Sequence, residues 1–328
     1  MLGLSAMSPS VPRPPCDSDP VTAQRPLLGF GLPISGGWAT PARMREVARR
    51  AEELGYASLW TFQRTLVPVG SDLGPGHASV LDPVVALAHV AACTERIGLG
   101  TATVCAPFTP PALLAKAMAS LDVLSEGRLT VGVGSGWMPE EHVAAGVPTT
   151  GRGARMEEYL RCLVALWTED PVEFDGEHYR VPRSHVAPRP VQRPHPPVLV
   201  GGAAAPALRR AGRLAEGWVA ASGHDLDRLG RDVATVRAGA EEAGRDPAAV
   251  RVLLRAVPDL RATDPGPDRA PFRGTREQVL EDVAAVGAQG VTEVLLDLNL
   301  SPRVVAPGVR PQAADAYADE VLEAFAPR

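Results

Sequence analysis

Gly201 and Gly202 stand where main-chain N–H groups could meet a phosphate. The apolar run 198–200 before them reads as a buried strand, and the Ala-rich stretch behind them carries Leu208, Ala211 and Leu214 at helical spacing. Strand, glycine pair and helix N-terminus together present backbone donors to an anion. The missing Cβ lets that anion approach the main chain. The same pair would also serve as a plain tight turn. A barrel with this turn late in its order would favour the phosphate reading, because barrel phosphate sites lie there.

Other residues with chemical potential stand at loop starts. Gln63 and Arg64 follow one short apolar run, and Thr103 and Cys105 end another. Gly134, Ser135 and Gly136 lead into Trp137, with Glu140 and Glu141 close behind. Arg64 stays charged near neutral pH and cannot serve as a proton donor. It can orient an anion, or it can be a surface arginine, since loops hold both kinds. Glu140 and Glu141 either face inward or form a solvated first helical turn, where carboxylates suit the helix dipole. His77, His142, His178, His185, His195 and His224 show no metal-ligand spacing and read as surface or hydrogen-bonded side chains. No metal site is expected. Cys16, Cys93, Cys105 and Cys162 form no CxxC pair, which suits a reducing cytoplasm.

The elements that must position these residues alternate regularly. Strands are expected at 27–32, 57–61, 97–104, 129–134, 198–200, 217–220, 250–255 and 291–296. Thr40 and Pro41 open the first helix, whose buried face is Met44, Val47, Ala48, Ala51 and Leu54, with Gly55 as its stop. Asp82 and Pro83 open a second helix reaching Cys93, and Pro111 a third. Helices are further expected at 152–167, behind Gly202, around Leu226 to Val236, behind the Thr275–Gln278 capping box, and at 313–325. The rhythm breaks at 171–197. There, alternation about Asp175-Gly176 predicts a short hairpin, followed by a proline-rich crossing. Eight strands, apolar on both faces and alternating with helices, predict a (β/α)8 TIM barrel with this insertion before strand five. Loops after the strands then hold the site.

The chain has 328 residues, 45% of them apolar, which is enough for one large barrel domain at 26–328. A net charge of −5 points to neither a nucleic-acid nor a membrane surface. No run approaches the ~18 apolar residues of a membrane span. Residues 1–25 are rich in Pro and Ser, lack the basic start and apolar run of a secretion signal, and read as a disordered leader.

Six stretches in order resemble the bacterial luciferase-like monooxygenase family, and in particular its coenzyme F420-dependent branch. They are LGYASLW at 54–60, TERIGLGT at 94–101, LDVLSEGRL at 121–129, GVGSGW at 132–137, PPVLVGG at 196–202 and EGW at 216–218. The likeness runs from about Leu27 to Trp218 and is generic beyond. It implies a (β/α)8 oxidoreductase, often a homodimer, with a flavin or deazaflavin at the C-terminal strand ends and a small-molecule substrate. Gly201, Gly202 and Ala203 would clamp the cofactor phosphate. Gly134, Ser135 and Gly136 would approach from the other side. Ala102–Thr103 would be a cis peptide behind the ring, with Thr103 and Cys105 touching it. The sequence also departs from the branch's pattern. Gln63-Arg64 replaces an Asp-His pair, and Trp137 stands where some members carry an acidic residue. Gln63, Arg64 and Trp137 are therefore the catalytic candidates, with Arg64 orienting an anionic substrate or the deazaflavin phenolate.

Three functions follow. The first is an F420-dependent enzyme moving hydride to or from a small organic substrate. The second is an FMN-dependent monooxygenase inserting oxygen through a flavin hydroperoxide. The third is a non-catalytic flavin-binding or scaffold protein. The loops at 63–79 and 175–196 are expected to select the substrate.

Overall fold

Eight short apolar runs close into one parallel barrel in the computed structural model, which describes residues 25–327. The strands are β1 (Leu27–Gly31), β2 (Ser58–Thr61), β3 (Gly98–Thr101), β4 (Leu129–Gly134), β5 (Val198–Gly201), β6 (Gly217–Ala220), β7 (Arg251–Ala256) and β8 (Glu293–Leu296). Each pairs with its neighbours in chain order. The ring closes where Leu28 of β1 lies opposite Val294 of β8. Strands covered on both sides need apolar side chains on both faces, which these runs supply. The leader assigned to 1–25 lies outside the described residues, Arg25 excepted.

The helices follow their start and stop signals. In α1 (Pro41–Leu54) Thr40 Oγ1 accepts from Arg43 N at 3.2 Å, and Gly55 closes the helix at φ +85°. Asp82 caps α2 (Pro83–Ala91) by accepting from Val84 N and Val85 N. After α3 (Pro111–Leu124), α4 (Arg152–Thr168), α5 (Ala205–Leu214) and α6 (Leu226–Glu242), the expected capping box opens α7 (Arg276–Ala288). The last barrel helix, α8 (Pro311–Ala324), starts two residues before the expected position because Pro311 fits the first turn. β8 starts later than expected because Val291 N bonds Val286 O and so belongs to the end of α7.

Two local features bear on function. The Ala102–Thr103 peptide is cis, as the family resemblance implied, and it interrupts the expected strand 97–104: β3 stops at Thr101 and the strand resumes at Val104–Cys105 opposite Val133 and Gly134. A short helix, Pro139–Ala144, lies between β4 and α4 and carries Glu140 and Glu141 in its first turn. The hairpin is present as Val172–Asp175 against Arg180–Ser184, but its loop is longer than the two-residue Asp-Gly turn. Glu158 of α4 takes over that loop, accepting from the backbone N–H groups of Glu177, His178 and Tyr179 at 3.1, 2.8 and 2.7 Å.

Inside the barrel Trp60, Ala102, Leu199, Val219, Leu253 and Leu295 pack together. Burying each large apolar side chain contributes roughly 1.5–3 kcal/mol. Gly100 makes the room: a Cβ there would sit 2.3 Å from the Trp60 ring. Beneath this layer Glu293 accepts from Trp60 Nε1 at 2.8 Å and from Ser58 Oγ, filling the N-terminal end of the barrel with satisfied polar groups. Among the described residues no helix is long and apolar enough to cross a membrane.

Candidate functional site

An inner chamber of about 370 Å³ opens at the C-terminal ends of the strands. Gln63 and Arg64 reach it from β2, Ala102, Thr103 and Cys105 from β3, Gly134 to Trp137 from β4, and Gly201 and Gly202 from β5. Val219 to Ser222 and Arg255 complete the wall from β6 and β7, with His77 from the loop after β2. Six strand ends thus form the wall, and four of them, β2 to β5, bring together most of the residues singled out in the sequence.

Gln63 splints the cis turn. Its backbone N donates to Thr103 O at 3.2 Å, and its Oε1 accepts from Cys105 N at 2.6 Å. The side chain of this catalytic candidate therefore holds backbone. The Thr103 side chain lies between the β4 and β5 ends. A Cβ on Gly134 would stand 2.8 Å from Thr103 Oγ1, and one on Gly201 would stand 3.3 Å from its Cγ2. Burial, with the charge of Glu141 adding, pushes the Cys105 thiol up to about 12, so it stays protonated and unreactive.

Two buried ion pairs face the chamber. Arg64 Nη1 lies 2.7 Å from Glu141 Oε2, and the two side chains are only 6% and 2% exposed. Glu141 Oε1 also accepts from Thr65 N at 2.6 Å, and the guanidinium lies over the Trp137 ring, 4.8 Å from its centre. This decides between the alternatives the sequence left open at two places. Arg64 is not a surface arginine, and Glu141 is not part of a solvated first turn; the short helix Pro139–Ala144 turns it inward while Glu140 stays exposed. Trp137 is 61% exposed and sits on the rim. Across the chamber Arg255 Nε donates to Asp297 Oδ2 at 2.6 Å, and its guanidinium covers the Phe62 ring. Asp297 is fixed in turn through Asn299, whose amide bonds the 32–35 backbone.

His77 is half-buried in this wall, and its Nδ1 is buried without a hydrogen-bond partner. Desolvation, then the charges of Arg64 and Arg255, hold its pKa below the usual imidazole range. The sequence signal for it was weak, because a lone loop histidine carries no spacing. His142 departs from its expected surroundings too. It is buried against Phe108 with neither ring nitrogen hydrogen-bonded.

An outer basin of about 570 Å³ continues from the chamber. The two share Ser135, Gly136, Trp137, Gly201 and Gly202; the basin adds Ala203, Arg152, Arg210 and the start of α5. Gly202 sits at φ +137°, a conformation that needs glycine, and a Cβ there would meet Ala207 Cβ at 3.0 Å. Trp218 Nε1 donates to Gly202 O at 2.7 Å and fixes the turn. His224 packs edge-on against Trp218, with its Nε2 3.1 Å from Asp232 Oδ2. Arg152 donates to Gly136 O at 2.8 Å and ties α4 to the opposite rim. The sequence pointed to neither Arg152 nor Arg210. In contrast to the expectation for the substrate loops, none of residues 175–196 lines either cavity.

Residues 20–266 match the family model described as luciferase-like monooxygenase. An uncharacterised protein of Mycobacterium tuberculosis is 38% identical over 248 residues, covering 71% of this chain and 86% of its own. The F420-dependent glucose-6-phosphate dehydrogenase of Kineococcus radiotolerans is 33% identical over 66% of this chain and 64% of its own. The FMNH(2)-dependent dimethylsulfone monooxygenase of Pseudomonas putida is 32% identical over 67% of this chain and 58% of its own. A closed eight-stranded barrel, a two-chamber site at its C-terminal face and a match over most of its length place this chain in the luciferase-like monooxygenase family.

Proposed function

We propose that this protein is an oxidoreductase that holds coenzyme F420 across the rim between its two cavities and acts on a small organic substrate in the inner one. The observation that carries this reading is the continuity of chamber and basin through a neck built from Gly136, Gly201 and Gly202, with Gly134 just inside it. The neck fits a flat ring with a phosphorylated tail. At Gly134, Gly136 and Gly202 an added Cβ would come within 2.8, 2.9 and 3.0 Å of neighbouring side chains, so these positions stay open only as glycine.

When bound, the deazaflavin supplies hydride exchange at carbon 5 of its ring, and the protein contributes position and field. Gly201, Gly202 and Ala203 would bind the tail phosphate through N–H groups at the start of α5, where the helix dipole adds its favourable charge. Ala102, Thr103 and Cys105 form the wall behind the ring site. Arg64, set by Glu141 and Trp137, presents a fixed guanidinium, compensated by its carboxylate, to the chamber. The basin extends past the phosphate turn to Arg152 and Arg210. This extension supports F420, whose anionic tail continues beyond its phosphate, over FMN, whose tail ends there.

Titration of the purified protein with each cofactor, followed by fluorescence, tests the reading. F420 is expected to bind at least about tenfold more tightly than FMN, a difference of ~1.4 kcal/mol. Tighter binding of FMN would move the assignment to a monooxygenase that uses reduced FMN. Binding of neither would refute both. A homodimer is also proposed, and light scattering at micromolar concentration should give twice the chain mass.

A further inference from the structure

The inner chamber is lined by two compensated ion pairs with one imidazole among them, seated against the Gly74 backbone. Arg64 is neutralised by Glu141, and Arg255 by Asp297. Burying such pairs is costly, and natural cores mostly do without them. Their donors are not used up. Arg64 Nε is buried without a hydrogen-bond partner, as is His77 Nδ1. Both residues and Arg255 line the same cavity from three different segments. The charged groups that act on His77 are Arg64, Arg255 and Asp297; Glu141 and the protonated Cys105 thiol line the same chamber.

We propose that Arg64, His77 and Arg255 form the oxygen-recognition pole of the substrate site, built for an uncharged, hydroxyl-bearing small molecule, with His77 as its proton acceptor. The proposal rests on the oxidoreductase reading and names the substrate class within it. Two arginines with their own carboxylates offer N–H donors without net positive charge, so a neutral oxygen is matched and a carboxylate gains little. A neutral imidazole can take the hydroxyl proton. The O–H bond breaks, its electron pair stays on the oxygen beside the two guanidinium groups, and the proton forms an N–H bond on the ring. Near neutral pH neither arginine can accept that proton, because a guanidinium has no free lone pair to receive it.

NMR on protein labelled in its histidine rings provides the test, with 2,2,2-trifluoroethanol and acetate as probes. Assignment comes from the signal lost in His77→Gln. The His77 resonance is expected to titrate below the ordinary imidazole range. It should shift saturably with trifluoroethanol and stay unmoved by acetate at equal concentration. Arg255→Gln removes one facing cation and leaves Asp297 unpaired, so it should raise the His77 midpoint by about one pH unit. If that variant does not fold, Asp297→Asn reads the same coupling with the opposite sign and should lower the midpoint. No response to either probe, a response to acetate as strong as to the alcohol, or a midpoint indifferent to the chamber charges would overturn the proposal. None of these readouts needs a bound cofactor. Binding of neither F420 nor FMN alongside a responsive His77 would refute the oxidoreductase reading alone.

Discussion

Replacing Gly201 with Val puts the phosphate-turn reading at risk most directly. Gly202 is the poorer choice, because its φ of +137° penalises any side chain before a ligand is considered. Gly201 carries no such constraint. A Cβ there would lie 3.3 Å from Thr103 Cγ2 and 3.6 Å from Val133 O, close but without overlap. Valine also suits the end of a buried strand. The fold should therefore survive, while the added methyl groups crowd the neck. If the tail phosphate sits at the start of α5, displacing it weakens at least one charge-assisted hydrogen bond, worth ~1.5–3 kcal/mol. Affinity for F420 and for FMN should fall roughly ten- to a hundredfold. A phosphate-free riboflavin or deazariboflavin should bind variant and parent more nearly alike. Fluorescence titration and thermal melting on the same preparations separate lost contact from lost fold. A folded Gly201→Val protein with unchanged affinity for both phosphorylated cofactors would refute the assignment of the turn.

Three further outcomes are expected. Glu141→Ala leaves Arg64 buried without its counter-charge and should lower stability by about 3–5 kcal/mol in urea unfolding; a loss under 1 kcal/mol would show that the pair is solvated in solution. Trp218→Phe removes the bond to Gly202 O, at about 1 kcal/mol plus a term for the smaller ring. It should weaken phosphorylated ligands more than phosphate-free ones, and equal weakening would count against the buttressing role. For His77 the folded pKa lies below the unfolded value, so only the unfolded chain takes the proton as pH falls through about 6.5. Its contribution to stability should be constant above that pH and decline below it, down to the folded pKa. His77→Gln should flatten that part of the stability profile, and identical acid limbs in variant and parent would contradict the burial of a neutral ring.

The barrel was legible because its signals are local. A four-to-six-residue apolar run can be read without knowing its neighbour, and Thr40, Asp82 and Thr275 announce their helices by caps that bond within three residues. The glycine turns were legible for a related reason, since a glycine pair between an apolar run and a helical pattern marks a strand end whether or not a ligand meets it. The polar wall was not. Arg64 meets Glu141 across 77 positions, and Arg255 meets Asp297 across 42, so no window shows either pair. The Pro139–Ala144 helix is too short for periodicity to reveal, yet it alone decides that Glu141 faces in and Glu140 faces out. His77 required the fold itself, because only the loop's return over the barrel mouth brings it between two arginines.

The two cavities differ in how dissolved ions would reach their charges. In the chamber the arginines and their carboxylates are almost fully covered, whereas Arg152 at the basin is exposed and Arg210 partly so. Mobile ions screen charges they can surround, over about 8–10 Å near physiological strength, and act much less on covered pairs. Raising salt should therefore loosen a ligand's anionic tail while leaving recognition in the chamber nearly untouched. One molecule would then hold its two ligands by attractions of different range, and ionic strength alone could strip one away and leave the other seated.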